Sequence, residues 1–414
     1  MMEKMRPHLF FWSCVGMITG IFLIDFVRIL PSISMILIVL LGISYWVKPV
    51  LLSQNKHSSP FWLLTGTFFI LLPSWFYSDN MGYLFEKWQI ALPYLVLPIA
   101  FIKIPKLSDR RLFILYGLYF ALTLMVSMIA FVYYLFHQES INQLYLESRV
   151  MPTILSHHPT LSLMMVFAVY IGYWMYQSKR FYKFKIERNL MAIGTVFLFI
   201  FIHIFSVRSG LLALYLVVLL ELSRWIFEKK QYKNALLAGI SLLVIGGTTL
   251  FVSPTVSNKI ANTTQDLNNY QSKGSANNQS LSSRIISYKN AIRIAQESTI
   301  WMGCGLGDIK DLNEAIFAKD YPDVTKRIIP HNQFLFYFAA IGLIGVLAFC
   351  FFFYTPLWKN QAYKNPLLLV HIVIISVGFM FESPLQSQVG VAYSLVFYLL
   401  PLHKEQGASS LKSF

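Results

Sequence analysis

About twelve runs of roughly 20 apolar residues, each bounded by polar or Pro/Gly punctuation, dominate this chain. They cover 9–25, 29–47, 60–77, 84–102, 111–136, 158–177, 189–206, 209–227, 234–252, 332–354, 365–381 and 388–402. Each run has about the length a helix needs to cross a hydrocarbon core of roughly 30 Å, so the pattern predicts an all-α polytopic membrane protein with about 12 transmembrane helices. Composition agrees: 56% of the 414 residues are hydrophobic and 13% charged, where soluble domains carry about a quarter charged. A soluble globular enzyme is excluded. The first run follows Met1-Met2-Glu3-Lys4-Met5-Arg6 without a small-residue cleavage site, and a second run follows at once, which reads as a retained anchor. Cys14 and Cys350 fall inside apolar runs, leaving Cys304 alone in polar sequence, so neither a disulfide framework nor a thiolate metal site is expected.

The formal net charge of +15 suggests nucleic acid only if the charges form a face, and here they sit in short clusters between apolar runs. They follow topology instead. Counting Lys and Arg on alternate sides of the runs puts 21 of the 34 on one side. The other side holds Arg28, Lys87, Arg149 and Arg208 in its short loops, plus nine in the long segment 253–330, and long segments are largely exempt from the positive-inside rule. Both termini are therefore expected to be cytoplasmic and the long segment outside, dividing the chain into membrane helices 1–252, an outer loop domain 253–330, and membrane helices with a cytoplasmic tail 331–414. Membrane lipids are expected partners and nucleic acid is not.

The outer segment has two parts. Residues 262–280, NTTQDLNNYQSKGSANNQS, offer almost nothing to bury and are expected to be mobile. Leu281, Ile285, Tyr288, Ile292 and Ala295 follow a 4-3-4-3 spacing that predicts a helix with one apolar stripe, and Asp311 to Lys319 predicts a second short helix. Two Asn-X-Ser/Thr sequons, at Asn262 and Asn278, carry no weight in sequence this rich in those residues.

In such a chain the informative groups are ionisable residues near apolar runs that packing does not explain. Arg208 opens the eighth run, His331 opens the tenth, and Glu382 closes the eleventh, all at the expected outer boundary. At 100° per residue Arg284 lies about 60° from Leu281 and is predicted to face the protein, whereas Arg293, about 120° away on the other flank, is predicted to face water. Each has a plain alternative: Arg208 snorkelling at a helix end, Asn332 beside His331 capping the tenth run, Glu382 as a loop carboxylate. His157-His158 makes a poor metal pair, because adjacent histidines point apart on a helix. His371 and His203 lie inside runs, and His371 reads as a packing residue. Gly303-Cys304-Gly305-Leu306-Gly307 follows a helix rather than a strand, so a tight loop fits better than a nucleotide cradle. Two guanidiniums and an imidazole at one face suit a reaction that holds a diphosphate and deprotonates a hydroxyl, and without an acidic cluster for a metal the arginines must neutralise the phosphates.

The order of these elements carries a family resemblance. Val207-Arg208-Ser209-Gly210-Leu211-Leu212 is followed by Ser283-Arg284 in an amphipathic helix, then by Gly303 to Asp308, then by His331-Asn332-Gln333-Phe334-Leu335 leading into Ile341-Gly342-Leu343-Ile344-Gly345. This resembles the O-antigen ligase superfamily of bacterial polysaccharide assembly, which includes O-antigen polymerases; Arg149 with His158-Pro159 echoes another family segment. The resemblance implies a GT-C-like membrane fold with one large periplasmic loop in the bacterial inner membrane. It implies an inverting, metal-independent and cofactor-free glycosyltransferase acting on an undecaprenyl-diphosphate-linked glycan at the periplasmic face. Carried over by motif, Arg208 and Arg284 grip the donor diphosphate and His331 activates the acceptor hydroxyl, with Asn332, Glu382 and Arg293 as further substrate-binding candidates. A ligase would use a lipid A-core hydroxyl as acceptor, whereas a polymerase would use another carrier-linked glycan; the set of motifs resembles the ligase branch most. A lipid-linked oligosaccharide transporter is the alternative of another class, but such proteins place charge near the bilayer midplane and repeat their halves, and neither is evident here.

Overall fold

The computed structural model describes residues 2–48, 58–146, 149–155, 157–178, 182–252, 254–271, 280–325 and 327–405, and the regular structure among them is entirely helical. In chain order the α-helices are α1 (Met2–Phe22), α2 (Ile29–Val47), α3 (Ser59–Phe69), α4 (Met81–Ala91), α5 (Pro93–Lys103), α6 (Asp109–Phe136), α7 (Gln138–Leu146), α8 (His158–Gln177) and α9 (Lys185–Phe205). They continue as α10 (Arg208–Phe227), α11 (Tyr232–Val252), α12 (Pro254–Gln271), α13 (Ser280–Glu297), α14 (Ile309–Asp320), α15 (Gln333–Trp358), α16 (Pro366–Phe381) and α17 (Gln388–Glu405). Every apolar run coincides with a helix or a pair of them. The run 60–77 is α3 followed by a 3-10 turn at Leu72–Phe76, and 84–102 is α4 and α5, divided where Pro93 starts a new helix. Eight helical stretches among the described residues are long and apolar enough to cross a membrane. The protein is a polytopic all-α membrane protein.

Two compact units make up the chain. The first comprises Met1–Tyr119, Arg284–Ile372 and Phe379–Phe414. In it α2 packs on α1 and α5, α3 on α5 and α15, and α17 on α1 and α5. Small residues set these spacings: a Cβ on Gly42 of α2 would come 2.6 Å from Ala100 of α5, so the two backbones touch. A ring cluster of Phe349, Phe353, Phe379 and Tyr398 fills the interior, with centroids 5.2–5.6 Å apart across the contacts of Phe353 and Phe379. His371 is fully buried there and Nε2–H donates to the Ser394 carbonyl at 3.0 Å, a packing role.

Helix α15 breaks at Gly342, where φ +69° and ψ −173° lie in a region open essentially to glycine alone. The loop before α14 repairs the lost ladder. Cys304 and Gly305 N–H donate to the carbonyls of Ala339 and Ala340, both at 2.9 Å, and Leu343 and Ile344 N–H donate to Ile300 and Trp301 at 2.8 and 3.2 Å. This is how a broken apolar helix satisfies its backbone. Gly303 and Gly305 also have positive φ, so the glycine-rich stretch is a tight loop, anchored further by Asp308, whose carboxylate accepts the Asp79 and Asn80 N–H groups at 3.0 and 2.8 Å.

The second unit comprises Phe120–Ser283 and Val373–Gly378. Here α8 packs on α9 and α10, α11 on α10, and α12 on α7, α9 and α11. The expectation that 262–280 is mobile is corrected for its first ten residues, which continue α12 to Gln271; residues 272–279 lie outside the described residues. Helix α12 is held by a polar stripe, which apolar spacing does not register. Asn258 and Asn262, one turn apart, donate to the carbonyls of Asn142 and Leu146 in α7 at 3.0 and 2.8 Å, and Asp266, a further turn on, accepts the Leu281 N–H. Helix α7 itself was not anticipated. Helix α13 forms as predicted, but its buried residues are Ser282, Ile286, Ser287, Asn290, Ala291, Ile294 and Ala295, and Ile292 of the predicted stripe is exposed. Ser282, Ser287 and Asn290 are buried by hydrogen bonding, which hydrophobic spacing does not register.

Candidate functional site

The first unit brings three of the candidate residues together on one carboxylate. Glu382, at the end of α16, accepts from Arg284 Nη2 through Oε1 at 2.7 Å and from His331 Nδ1 through Oε2 at 2.6 Å. Read from sequence, Glu382 had a loop carboxylate as its plain alternative; the structure makes it the bridge between the other two. Its side chain is 18% exposed, against 21% for Arg284 and 31% for His331. The group is therefore sheltered from bulk water yet reachable.

Each member is held from several directions. Arg284 projects from the second turn of α13, on the flank predicted to face the protein. His331 sits just before α15. Asn332 is the N-cap of that helix, accepting Leu335 N–H at 3.0 Å, while its amide donates to the Met380 carbonyl at 3.0 Å. Gln333, fully buried, accepts the Leu385 N–H at 3.0 Å. From α13, Tyr288 O–H donates to the His331 carbonyl at 2.7 Å. Burial pushes the Tyr288 phenol above its ordinary value, with Arg284 opposing and Glu382 adding to the rise, so it remains a donor through the physiological range. The capping alternative for Asn332 thus holds, and it serves to fix the histidine beside it.

With Glu382 accepting from Nδ1–H, the His331 ring presents the lone pair of Nε2, the tautomer needed to take a proton. Nε2 has no hydrogen-bond partner among the described residues, and neither do the remaining Arg284 N–H groups. A planar guanidinium with unused donors next to a base with an unused lone pair can hold an anion and deprotonate a hydroxyl.

The other candidates are placed separately. Arg208 is the first residue of α10, in the second unit, and its Nη2 donates to Thr263 of α12 at 2.6 Å. Arg293 faces outward on α13, paired with Glu297 at 2.6 Å and with Asp320 of α14. His158 bonds Thr153 at 3.2 Å and leans on Phe205.

One cation of the first unit escaped the sequence reading. Lys87, counted there as a topological exception, is 7% exposed on α4, with Nζ 3.3 Å from Glu86 and over the Tyr83 ring at 4.6 Å. Helix α4 packs on the turn Pro384–Gln386, which follows Glu382 by two residues. The legible signal was a lysine inside an apolar run on the side where lysines are scarce.

Residues 193–350 match the family model described as O-antigen ligase. That segment is an O-antigen ligase domain. No curated protein matches the chain. The ligase domain starts within α9 and ends within α15, so it holds Arg208, Arg284, Arg293, His331 and Asn332, whereas Glu382 and Lys87 come from helices outside it. The family assignment implies an O-antigen ligase-like glycosyltransferase with glycan and lipid-linked substrates.

Proposed function

We propose that the protein transfers a glycan from undecaprenyl diphosphate to a hydroxyl of a lipid A-core acceptor, at the periplasmic face of the inner membrane. The observation that carries this reading is the Glu382 bridge, which sets a guanidinium and a correctly oriented imidazole side by side. His331 Nε2 takes the acceptor O–H proton as the oxygen attacks the anomeric carbon. The bond from that carbon to the donor diphosphate breaks, and the electron pair leaves on the phosphate oxygen. A single displacement inverts the configuration. Glu382 keeps the ring in the accepting tautomer and balances the charge it gains. Arg284 holds the diphosphate, with Arg208 assigned the same task by its motif position, and both stabilise the departing charge more than the ground state. Asn332 positions His331, Lys87 is a further cation of that unit, and Arg293 braces α13 against α14.

The test is transfer by Arg208→Ala and His331→Ala, each checked for expression, membrane insertion and thermal stability. Both variants fold and lose transfer. Activity within a few-fold of wild type in both defeats the assignment. Ligase and polymerase are separated by the glycans of a deletion strain: long carrier-linked chains accumulate without the ligase, and single repeat units cap the core without the polymerase.

A further inference from the structure

The second unit contains a cavity of about 370 Å³ between α8, α9, α10 and α11, walled by Val166, Thr195, Phe199, Leu214, Val217 and Ala238 among others. Helix α8 packs on both α9 and α10, and the cavity occupies the space it leaves between them. Its size lies in the range of small-ligand sites, roughly 300–1,000 Å³. Water is a poor occupant. The ionisable groups in the wall are Glu221, Tyr170 and Tyr173, and they are tied to one another: Glu221 Oε1 accepts from Trp225 at 2.9 Å, Lys229 at 2.9 Å and Tyr173 at 3.2 Å, and Oε2 from Arg224 at 3.0 Å and Tyr170 at 3.5 Å. Thr195 O–H donates to the Met191 carbonyl at 2.7 Å, so the polar groups of the wall are engaged within the protein, and a water, which needs two to four polar partners, is poorly served. Val196 and Ile200, also in the lining, are 58% and 50% exposed, so the cavity opens sideways on an exposed apolar face of α9, a helix long and apolar enough to cross a membrane.

The cavity is polarised along its length. Glu221 and Trp225 lie in the last two turns of α10, at the end of the unit where α8 and α10 finish and α9 and α11 begin. That end carries Arg224, Lys229, Lys230 and Lys233 against Glu221 and Glu228, a net +2 on the α10–α11 turn (four basic less two acidic). Arg188, at the start of α9, adds a guanidinium stacked 4.1 Å from the Tyr176 ring. An apolar slot ending in excess positive charge at the edge of the bilayer fits a ligand with a hydrocarbon chain and an anionic head.

We propose that this cavity is a binding site for one acyl chain of an anionic phospholipid, with its phosphate against the Arg224–Lys229–Lys230 end. The occupant comes from the leaflet on the basic side of the chain. Bound there, it fills the gap between α9 and α10 and braces α10, the helix whose opposite end bears Arg208. The site is separate from the Arg284, His331 and Glu382 group and does not depend on the transfer reaction.

The test uses the full-length purified protein. Native mass spectrometry after detergent extraction, with phosphatidylglycerol or phosphatidylcholine added back, reads retained lipid. Quenching by brominated-chain lipid in nanodiscs, taken as the difference between wild type and Trp225→Phe, reads chain position. Wild type retains one phosphatidylglycerol in preference to phosphatidylcholine, and brominated phosphatidylglycerol quenches the Trp225 signal. Val218→Phe and Ala238→Leu, which fill the slot from α10 and α11, cut retention at least fivefold, and the surface double variant Lys229→Gln/Lys230→Gln removes the headgroup preference. Two slot variants guard against one failing to fold. Equal retention of the two lipids by wild type, unchanged retention in a folded slot variant, or a retained polyprenyl phosphate in place of phospholipid overturns the proposal.

Discussion

Replacing Glu382 with glutamine removes one charge and almost no volume, which makes it the sharpest probe of the Arg284, Glu382 and His331 group. The carboxylate accepts two charge-assisted bonds, at 2.7 and 2.6 Å, of a kind worth about 1.5–3 kcal/mol each. An amide of the same shape offers one oxygen and two N–H donors. If that oxygen stays on Arg284, the NH₂ faces His331 Nδ1 and selects the tautomer protonated on Nε2, which cannot take a proton. If it turns to Nδ1–H, the NH₂ confronts the guanidinium. Either way one charge-assisted bond is lost, roughly 3 kcal/mol or about a hundredfold in rate, and the wrong tautomer extends the loss toward about 10⁴. The stability cost is about 1–3 kcal/mol, one charge-assisted bond in a partly sheltered site. Glu382→Asp keeps the charge but shortens the reach by one methylene, so it reaches one partner and retains intermediate activity. The assay is turnover of a synthetic polyprenyl-diphosphate donor by purified enzyme in nanodiscs, with kcat and KM separated and thermal unfolding followed in parallel. The expected result is a fall in kcat of about 10²–10⁴ with the melting temperature lowered by no more than a few degrees. A folded Glu382→Gln enzyme within threefold of wild type refutes the bridge as part of the chemistry.

Other consequences follow from particular contacts. Gly342→Ala would place a Cβ 2.2 Å from the Trp301 backbone at a φ of +69°; backbone strain alone is about 1–3 kcal/mol, so it destabilises by more than that, read as a lower unfolding temperature. Tyr288→Phe removes the donor to the His331 carbonyl and costs roughly 0.5–1.5 kcal/mol of positioning, seen as a several-fold lower kcat with the fold intact. Burial and the nearby Asp308 push the Cys304 thiol up to about 12. Its thiolate fraction at pH 8 is therefore about a thousandfold below that of an ordinary thiol, and alkylation followed by mass spectrometry at that pH leaves Cys304 unmodified. Asn262→Ala strips the donor from the Leu146 carbonyl, and hydrogen exchange in α12 rises while transmembrane helices stay protected.

Apolar periodicity wrote the helices into the sequence, because a chain crossing hydrocarbon must satisfy its backbone within each segment, and composition alone reveals such segments. All twelve runs became helices for that reason, and Arg208 and His331 stand at helix starts where the runs placed them. The motif order likewise marks Arg284 and His331. Local patterns fail where one segment is completed by another far away in the chain. Helix α12 is held by amides reaching carbonyls 116 residues earlier, and the break at Gly342 is filled by the loop around Trp301. Glu382 is the deciding case. By sequence it is a single carboxylate after an apolar run, 98 residues from Arg284 and 51 from His331. Only the packing of α13, α15 and α16 puts it between them, because the partners of a buried charge are chosen by proximity in space, which hydropathy does not encode.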